Sequence, residues 1–489
     1  MQRFWSTVTN ICTLCCVVLL LAFNLACSTV GLDLNTNHPI QPNFLFLYTD
    51  DQAAWALGRE GKSDAHTPNL DRLFAEGASF TNGFVTTPVC SPSRAALMTS
   101  RYGSEVGITD FLWAPNEPDA GLDPAIVTWP EVLQTAGYNT GLIGKWHLGE
   151  QDRFHPTHTG FNFFTGWRTG GRTSQDPEIE VNGLSQIIKG YTPDILTDFA
   201  IDFLEQQGES PFALSVHFWA PHANTANYTK DGDRTWLPLS AEDWGKFRTS
   251  DVQIPNPSYP KLDIPRLKRM TREYLASIAS VDRNVGKLLA TLDELGLDEN
   301  TIVIFTSDHG FNMGHNGIWH KGNGRWILTD QRGARANMYD HSLRVPVAVR
   351  WPGVTTPGMV IEETTTNLDW YPTLLSMARL PLPTDTLIRG RDLTPLLEGL
   401  RPEWNNDLFA EYRQHHFEQS HQYAYRTPEW KLVRDLSNPT KDELYDLTSD
   451  PDENLNLIAS QDPHVVENKQ HLQKKLDVSL RSIDQHRHQ

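Results

Sequence analysis

Four apolar runs of strand length each end in residues that carry chemistry, and that repetition limits the fold of this 489-residue chain more than any other feature. Residues 43–49 (NFLFLYT) end in Asp50-Asp51, and residues 139–143 (NTGLI) lead into Gly144-Lys145-Trp146-His147. Residues 212–218 (FALSVHF) precede Ala220-Pro221-His222, and residues 301–306 (TIVIFT) precede Asp308-His309-Gly310. Continuous rather than alternating apolar runs of this length suit strands covered on both faces. Helical patterns separate them. WPEVLQTAG stands before the second run, and Ile278, Val281, Val285, Leu288, Leu289, Leu292 and Leu295 recur at spacings of three and four before the fourth, with Gly296 as a stop. The pattern predicts an α/β fold: a large mixed, mainly parallel sheet sandwiched by helices. Ligands of such sheets bind beyond the carboxyl ends of the strands, so four polar junctions predict one shared site along one edge.

From about residue 392 the grammar changes. A helical segment (RGRDLTPLLEG) is followed by short runs at residues 408–412, 423–426, 431–434 and 443–447, as expected of a small antiparallel sheet, and residues 463–483 read as a closing helix. The expected organisation is a catalytic domain over residues 42–395 and a C-terminal subdomain over 396–489.

The amino terminus carries Arg3 and then the apolar run ICTLCCVVLLLAF at residues 11–23, which is short for a membrane span and reads as an export leader over residues 1–27. Cys27 stands where a bacterial lipoprotein would be lipidated, although Asn24 suits such a signal poorly. A lipid anchor there is the one membrane attachment the sequence offers, so the expected locations are periplasmic, secreted or outer-surface lipoprotein. The formal charge of −18 argues against nucleic acid as a partner, because phosphate contacts need clustered Lys and Arg. Of five cysteines, Cys12, Cys15, Cys16 and Cys27 fall in the leader or at its end, leaving Cys90 alone in the mature chain. A lone thiol in an oxidising compartment forms no internal disulfide and is a liability unless it is a buried apolar residue or has a use.

Asp50, Asp51 and Asp308 could converge on one point. Three buried carboxylates repel one another unless protonated or holding a cation, and oxygen ligands favour calcium or magnesium. Zinc is the rival because of His309, but no HExxH or paired-cysteine pattern supports it. Asp50-Asp51 read alone would equally suit a helix cap. The segment PVCSPSRAALMTS at residues 88–100 then places Cys90 just before Pro92, a residue suited to a helix start, whose amides would favour negative charge near Cys90, with Arg94 one turn further in.

The C-x-P-x-R pattern of Cys90, Pro92 and Arg94 resembles the signature of the formylglycine-dependent type I sulfatases of the alkaline phosphatase superfamily. The resemblance spans residues 43–457 in the family's order: HTPNLDRLFAEGASFTNGF (66–84), GLIGKWHLG (141–149), SDHGFNMGHNGIWHKG (307–322), RVPVAVRWPG (344–353) and ELYDLTSDPDENLNL (443–457). It implies an alkaline phosphatase-like fold. It also implies that a maturation enzyme oxidises Cys90 to formylglycine (3-oxoalanine), whose hydrate attacks sulfur with one oxygen and expels sulfate with the help of the other.

By the same resemblance Asp50, Asp51, Asp308 and His309 bind Ca2+, with residue 90 beside them. Arg94 stabilises the diol, Lys145 and His147 contact sulfate and steer the second diol oxygen, and His222 and Lys321 stand at the leaving-group oxygen, His222 as general acid. Asp308 could double as base toward the nucleophile. His217, inside a strand, reads as structural, and His320 stays outside the core set. Each of these side chains has an ordinary alternative as surface charge, cap or packing. The expected substrate is a sulfated carbohydrate, a polysaccharide or its oligosaccharides. Trp113, Trp167, Arg168, Arg172, Arg413 and His415 are candidates to contact it, since aromatics stack on sugars and Arg pairs with further anions. Phosphoester or phosphonate hydrolysis within the superfamily, and a catalytically silent domain that holds sulfated glycans, are the alternatives.

Overall fold

The computed structural model describes residues 41–485 apart from 62–63, 209 and 226–232. The leader expected at residues 1–27, Cys27 included, lies outside the described residues. Ten strands form the main sheet: β1 (Asn43–Thr49), β2 (Ala78–Phe80), β3 (Asn139–Lys145), β4 (Phe163–Trp167), β5 (Glu178–Val181), β6 (Leu184–Ile187), β7 (Phe212–His217), β8 (Thr301–Ser307), β9 (Val347–Arg350) and β10 (Met359–Ile361). Their spatial order is β10-β2-β9-β8-β1-β7-β3-β4-β5-β6. The central run β8-β1-β7-β3-β4 is parallel, while β9 and the β5–β6 hairpin are antiparallel to their neighbours.

All seven residues of β1 are buried, and they alternate between two cores. Phe44, Phe46 and Tyr48 face a layer that holds α2 (Cys90–Thr99), α3 (Trp129–Thr135) and α6 (Trp370–Met377), whereas Leu45 and Leu47 face α1 (Pro68–Glu76), α4 (Thr192–Glu205) and α5 (Ile264–Glu294). Each such side chain contributes about 1.5–3 kcal/mol of transfer free energy, so helices on both faces stabilise the same strand. This is the mixed, mainly parallel sheet sandwiched by helices that the four runs predict. The helix ending near Gly296 begins further back than the apolar repeat shows, because its first half packs Leu267, Met270, Tyr274 and Leu275 into a third core.

A second, antiparallel sheet is made of β11 (Leu408–Gln414), β12 (Ser420–Arg426), β13 (Trp430–Asp435) and β14 (Glu443–Asp446), paired in sequence order. Helix α7 (Pro463–Asp484) lays Leu472, Leu476 and Ile483 on it. The RGRDLTPLLEG segment departs from expectation: only Thr394–Leu397 is helical. The backbone amides of Gly390 and Arg391 instead donate to Ser100 Oγ and Asp369 Oδ1, and Gly399 closes the turn at φ +78°. Four short strands between Asn312 and Ala336, unpredicted by periodicity, form a further sheet that carries His320 and leads into Lys321. No helix among the described residues is long and apolar enough to cross a membrane.

Candidate active site

The register of the central strands aligns their carboxyl ends. Thr49 pairs with Ser307, Tyr48 with His217 and Gly144 with His217, so Asp50, Asp51, Lys145 and Asp308 leave the sheet along one edge. Asp308 N donates to Thr49 O (3.0 Å), locking β8 to β1 at that edge. The backbone turns sharply there. Asp51 has φ +70°, a left-handed conformation costly for a non-glycine residue, and the Tyr274 hydroxyl holds the turn by donating to Asp51 O (2.7 Å) while accepting from Ala53 N (3.0 Å). Gly144 has φ +110°, and a Cβ there would meet His217 O at 2.1 Å, so only glycine lets β3 deliver Lys145 to the site.

Helix α2 brings the nucleophile candidate. Its first residue is Cys90 itself, two positions earlier than Pro92 suggests, and all ten of its residues are buried. Cys90 Sγ lies 3.5 Å from His309 Nε2, 3.7 Å from Asp50 Oδ1 and 2.9 Å from Lys321 Nζ. Arg94, one turn on, donates through Nε and Nη2 to Asp308 Oδ2 (3.1 and 2.9 Å) and through Nη1 to Lys145 O (3.1 Å). His217 and Tyr48 support it from below, with His217 Nδ1 at 3.4 Å from Nη1 and the Tyr48 ring centroid 5.2 Å from its Cζ. His217 is thus structural, as its place in a strand suggests.

Three carboxylates and three cations share this buried volume. Lys321 Nζ is 2.7 Å from Asp51 Oδ1, Lys145 Nζ pairs with Asp50 Oδ2, and Arg94 Nη2 is 3.6 Å from the same Asp50 oxygen. Burial pushes the Asp50 carboxyl up, but Lys145, His222, Lys321 and Arg94 overcome it and hold the group well below the usual range. Asp51 is raised because burial outweighs Lys321, and Asp308 reaches about 6 because burial and Asp50 outweigh Arg94. Burial and Asp50 push the Cys90 thiol up to about 12, which disfavours the thiolate. His309 drops to about 3 through burial and the Lys321 charge.

A cation suits the donor set. The His309 Nδ1 proton donates to Gly310 O (3.0 Å), which leaves the Nε2 lone pair facing Asp308 Oδ1 (3.2 Å) and Asp51 Oδ1 (3.4 Å). A lone pair aimed at carboxylate oxygens is reconciled by a metal ion, and Asp51 Oδ2 is buried without a hydrogen-bond partner. Ligand atoms of Asp50, Cys90, Asp308 and His309 all lie within 4.8 Å of one another. Carboxylate oxygens of Asp50, Asp51 and Asp308 beside the His309 nitrogen are donors that fit a divalent cation.

Cys90 opens into a cavity of about 880 Å³ shared with His147, His222, His320 and Lys321. His147 Nε2 faces Leu112 O (3.0 Å), while its Nδ1 is buried without a partner. A Cβ on Gly170 would come within 2.5 Å of this imidazole. His222 Nδ1 is 2.7 Å from Ala223 O, and its Nε2 is 3.8 Å from Asp51 Oδ2. Burial, aided by Lys145 at His147 and by Lys321 at His222, lowers both imidazoles well below the usual histidine value. His320, set apart from the core residues on sequence grounds, lines the same cavity and hydrogen-bonds Asn323.

The candidate substrate contacts divide. Trp113 and Arg172 line the cavity. Trp167 is buried core, Arg168 pairs with Asp152 and Glu180, Arg413 lines a separate small pocket, and His415 hydrogen-bonds Glu117. Sequence reasoning missed Phe417, which comes from the loop between β11 and β12 to join Trp113 in the cavity wall, half exposed, with Arg325 Cζ 4.5 Å from its ring centroid. No local pattern around residue 417 signals this, because the contact depends on packing of the C-terminal sheet.

A mainly parallel sheet with a carboxylate-rich centre beside a helix-borne nucleophile candidate defines an alkaline phosphatase-like hydrolase. Comparison with known proteins narrows the class. The family model described as Sulfatase matches residues 42–380, and one described as N-sulphoglucosamine sulphohydrolase, C-terminal, matches residues 324–482. The chain belongs to the sulfatase family and is a sulfuric ester hydrolase. It is 29% identical to an N-acetylglucosamine-6-O-sulfatase of Bacteroides thetaiotaomicron over 86% of this chain and 83% of the relative. Human arylsulfatase A is 30% identical over 88% of this chain and 87% of its own. A solved structure in complex with its substrate, D-glucosamine-2-N,6-O-disulfate, superposes with a TM-score of 0.76 at 25% identity, covering 91% of this chain and 98% of that one.

Proposed function

We propose that this sulfatase is exported and removes sulfate from a sulfated carbohydrate, with residue 90, oxidised from Cys to formylglycine by a maturation enzyme, as its nucleophile. The observation that carries the reading is the position of Cys90: first residue of a buried helix, among Asp50, His309 and Lys321, and open to a cavity large enough for a saccharide. The aromatic part of that cavity, Trp113 and Phe417, suits the face of a sugar ring, and the named activity of the Bacteroides relative and the ligand of the superposed structure support the same substrate class. The leader at residues 1–27 would direct export, with Cys27 as the candidate lipid site; residues 42–395 would form the catalytic domain and 396–489 the subdomain that lends Phe417.

Asp50, Asp51, Asp308 and His309 would hold calcium, which when bound would supply positive charge for a sulfate oxygen. The hydrated aldehyde would supply two hydroxyls on one carbon. The residues of this chain do the rest. Arg94 and Lys145 add fixed charge where sulfate oxygens gather, and Arg94 also keeps Asp308 oriented. With Nε2–H donating a hydrogen bond to Leu112 O, His147 keeps a free Nδ1 lone pair, which suits it to accept a proton from the second hydroxyl. His222, with Nδ1 committed to Ala223 O, can carry a proton on Nε2 for the departing alkoxide, beside the Lys321 charge. An anionic substrate offsets the neighbouring lysine charge, so binding itself favours protonation of His222.

The test is purified protein co-expressed with a formylglycine-generating enzyme and assayed on 4-nitrophenyl sulfate and a panel of sulfated saccharides. Turnover of at least one saccharide, lost on dialysis against a chelator and restored by calcium, is expected. Turnover of phosphate or phosphonate esters in preference to every sulfate ester would overturn the reading.

A further inference from the structure

One arginine in the cavity over Cys90 has no ion-pair partner among the described residues. Arg172 lines that cavity and is half-buried. Its guanidinium donates to Glu178 O (3.0 Å), Thr169 Oγ1 (2.6 Å) and Gly171 O (3.1 Å), all of them neutral acceptors. Among the described residues no carboxylate lies within ion-pair distance of it. Its neighbours are treated differently: Arg266 is paired with Asp233, Arg168 with Asp152 and Glu180, and Arg94 with Asp308. The Glu178 and Glu150 carboxylates, the latter in the same cavity, act on Arg172 only through their longer-range field, and the Trp167 ring centroid lies 5.8 Å from its Cζ.

A desolvated guanidinium without a counter-ion is unfavourable, and neutral acceptors offset that only in part. The backbone nevertheless holds Arg172 in place, since Thr225 donates to its carbonyl through both N (3.2 Å) and Oγ1 (3.0 Å). It sits two residues after Gly170, whose Cα packs against His147. An anchored cation without a contacting counter-ion, on the loop that closes around His147, is suited to a second anion on the molecule being hydrolysed.

We propose that Arg172 binds a second anionic group of the substrate, a carboxylate or a further sulfate on the same saccharide, so that the enzyme selects sugars carrying more charge than the ester it cleaves. This rests on the carbohydrate reading of the site. The fixed fork of the guanidinium matches either anion in two-point contact, and a hydrogen bond to a charged group adds about tenfold or more in affinity.

Three probes separate the sources as competitive inhibitors of 4-nitrophenyl sulfate hydrolysis by the matured enzyme: N-acetylgalactosamine 6-sulfate, its 4,6-disulfate, and the 6-sulfate joined to glucuronate. At least one doubly charged probe should inhibit about tenfold more tightly than the singly charged sugar, and Arg172→Gln should bring that ratio to about one. Whichever probe gains identifies sulfate or carboxylate. Glu150→Gln, which removes a negative charge from the same cavity without touching the bonds of Arg172, should raise the ratio and serves if Arg172→Gln folds poorly. Equal inhibition by all three sugars, or a ratio unchanged in both variants, overturns the proposal and leaves the carbohydrate reading standing. Failure of all three to inhibit an enzyme that turns over 4-nitrophenyl sulfate overturns the proposal, and the carbohydrate reading falls with it only where no sulfated saccharide of the panel is turned over either.

Discussion

Two regions of this protein bury clusters of charge, and they differ in what is left over. Between the main sheet and the C-terminal sheet, Lys431 Nζ lies 2.8 Å from Asp340 Oδ1 and 2.6 Å from Glu453 Oε1, Arg426 Nε donates to Asp340 Oδ2 (2.9 Å), and Asp340 N donates to Glu453 Oε2 (2.5 Å). Asp340 Oδ1, Asp340 Oδ2 and Glu453 Oε2 are each hydrogen-bonded, and Glu453 Oε1, which has no hydrogen-bond partner of its own, is held in an ion pair with Lys431. At the sheet edge, by contrast, Asp51 Oδ2 and His147 Nδ1 have no hydrogen-bond partner, the His309 lone pair faces acids, and the cluster opens into a cavity. Buried charge alone therefore does not mark a functional site. The edge differs in opening onto a cavity, which the paired interface cluster does not line.

If this contrast is right, substitutions at the edge should cost activity and those at the interface should cost stability. The largest effect falls on Cys90→Ala, whose kcat/KM should drop by about 10⁴-fold or more with little change in Tm, measured on protein made beside the maturation enzyme. His222→Ala should lose about 10²- to 10⁴-fold on a sugar sulfate and much less on 4-nitrophenyl sulfate, whose leaving group needs no proton. A similar loss on both esters would show that His222 is not the acid. Lys431→Met strands two buried carboxylates and should lower stability by about 3–5 kcal/mol in urea titration, while the folded fraction keeps its kcat. Full stability in that variant would erase the distinction between the clusters.

At a third buried site, Asp282 has hydrogen bonds but, among the described residues, no ion-pair partner. Asp282 accepts from Leu70 N (2.7 Å) and Asn69 Nδ2 (2.9 Å), and burial outweighs these bonds to raise its carboxyl to about 6. The fold therefore favours its protonated form. That contribution is complete below the ordinary value near 3.8 and is lost as pH rises through about 6. Relative to Asp282→Asn, which does not titrate, the wild type should lose about 1–3 kcal/mol between pH 4 and pH 7. A constant difference across that range would mean that the two hydrogen bonds suffice for the charged form.

The parts of this architecture that repeat locally were legible in the sequence. Strands β1, β3, β7 and β8 read from their apolar runs, and the convergence of Asp50, Asp51, Lys145, His222 and Asp308 followed from the rule that parallel strands share a functional edge. Cys90 and Arg94 stood out because a lone cysteine preceded a helix start, although the helix begins at Cys90 rather than at Pro92. What sequence did not show was set by distant packing. Tyr48 and His217 beneath Arg94, Phe417 on its loop from the C-terminal sheet, and the burial of Trp167 all depend on elements far apart in the chain. The helix read at RGRDLTPLLEG failed for the same reason: Ser100 and Asp369 claim its amides and leave one turn.

The proposed chemistry depends most on what residue 90 becomes. Peptide mass spectrometry of protein produced beside a competent maturation enzyme should find the Cys90 peptide lighter by about 18 Da, the loss of sulfur and two hydrogens against the gain of one oxygen. That shift, tracking sulfatase activity across preparations, is the predicted result. An unmodified thiol in fully active protein would contradict the formylglycine mechanism.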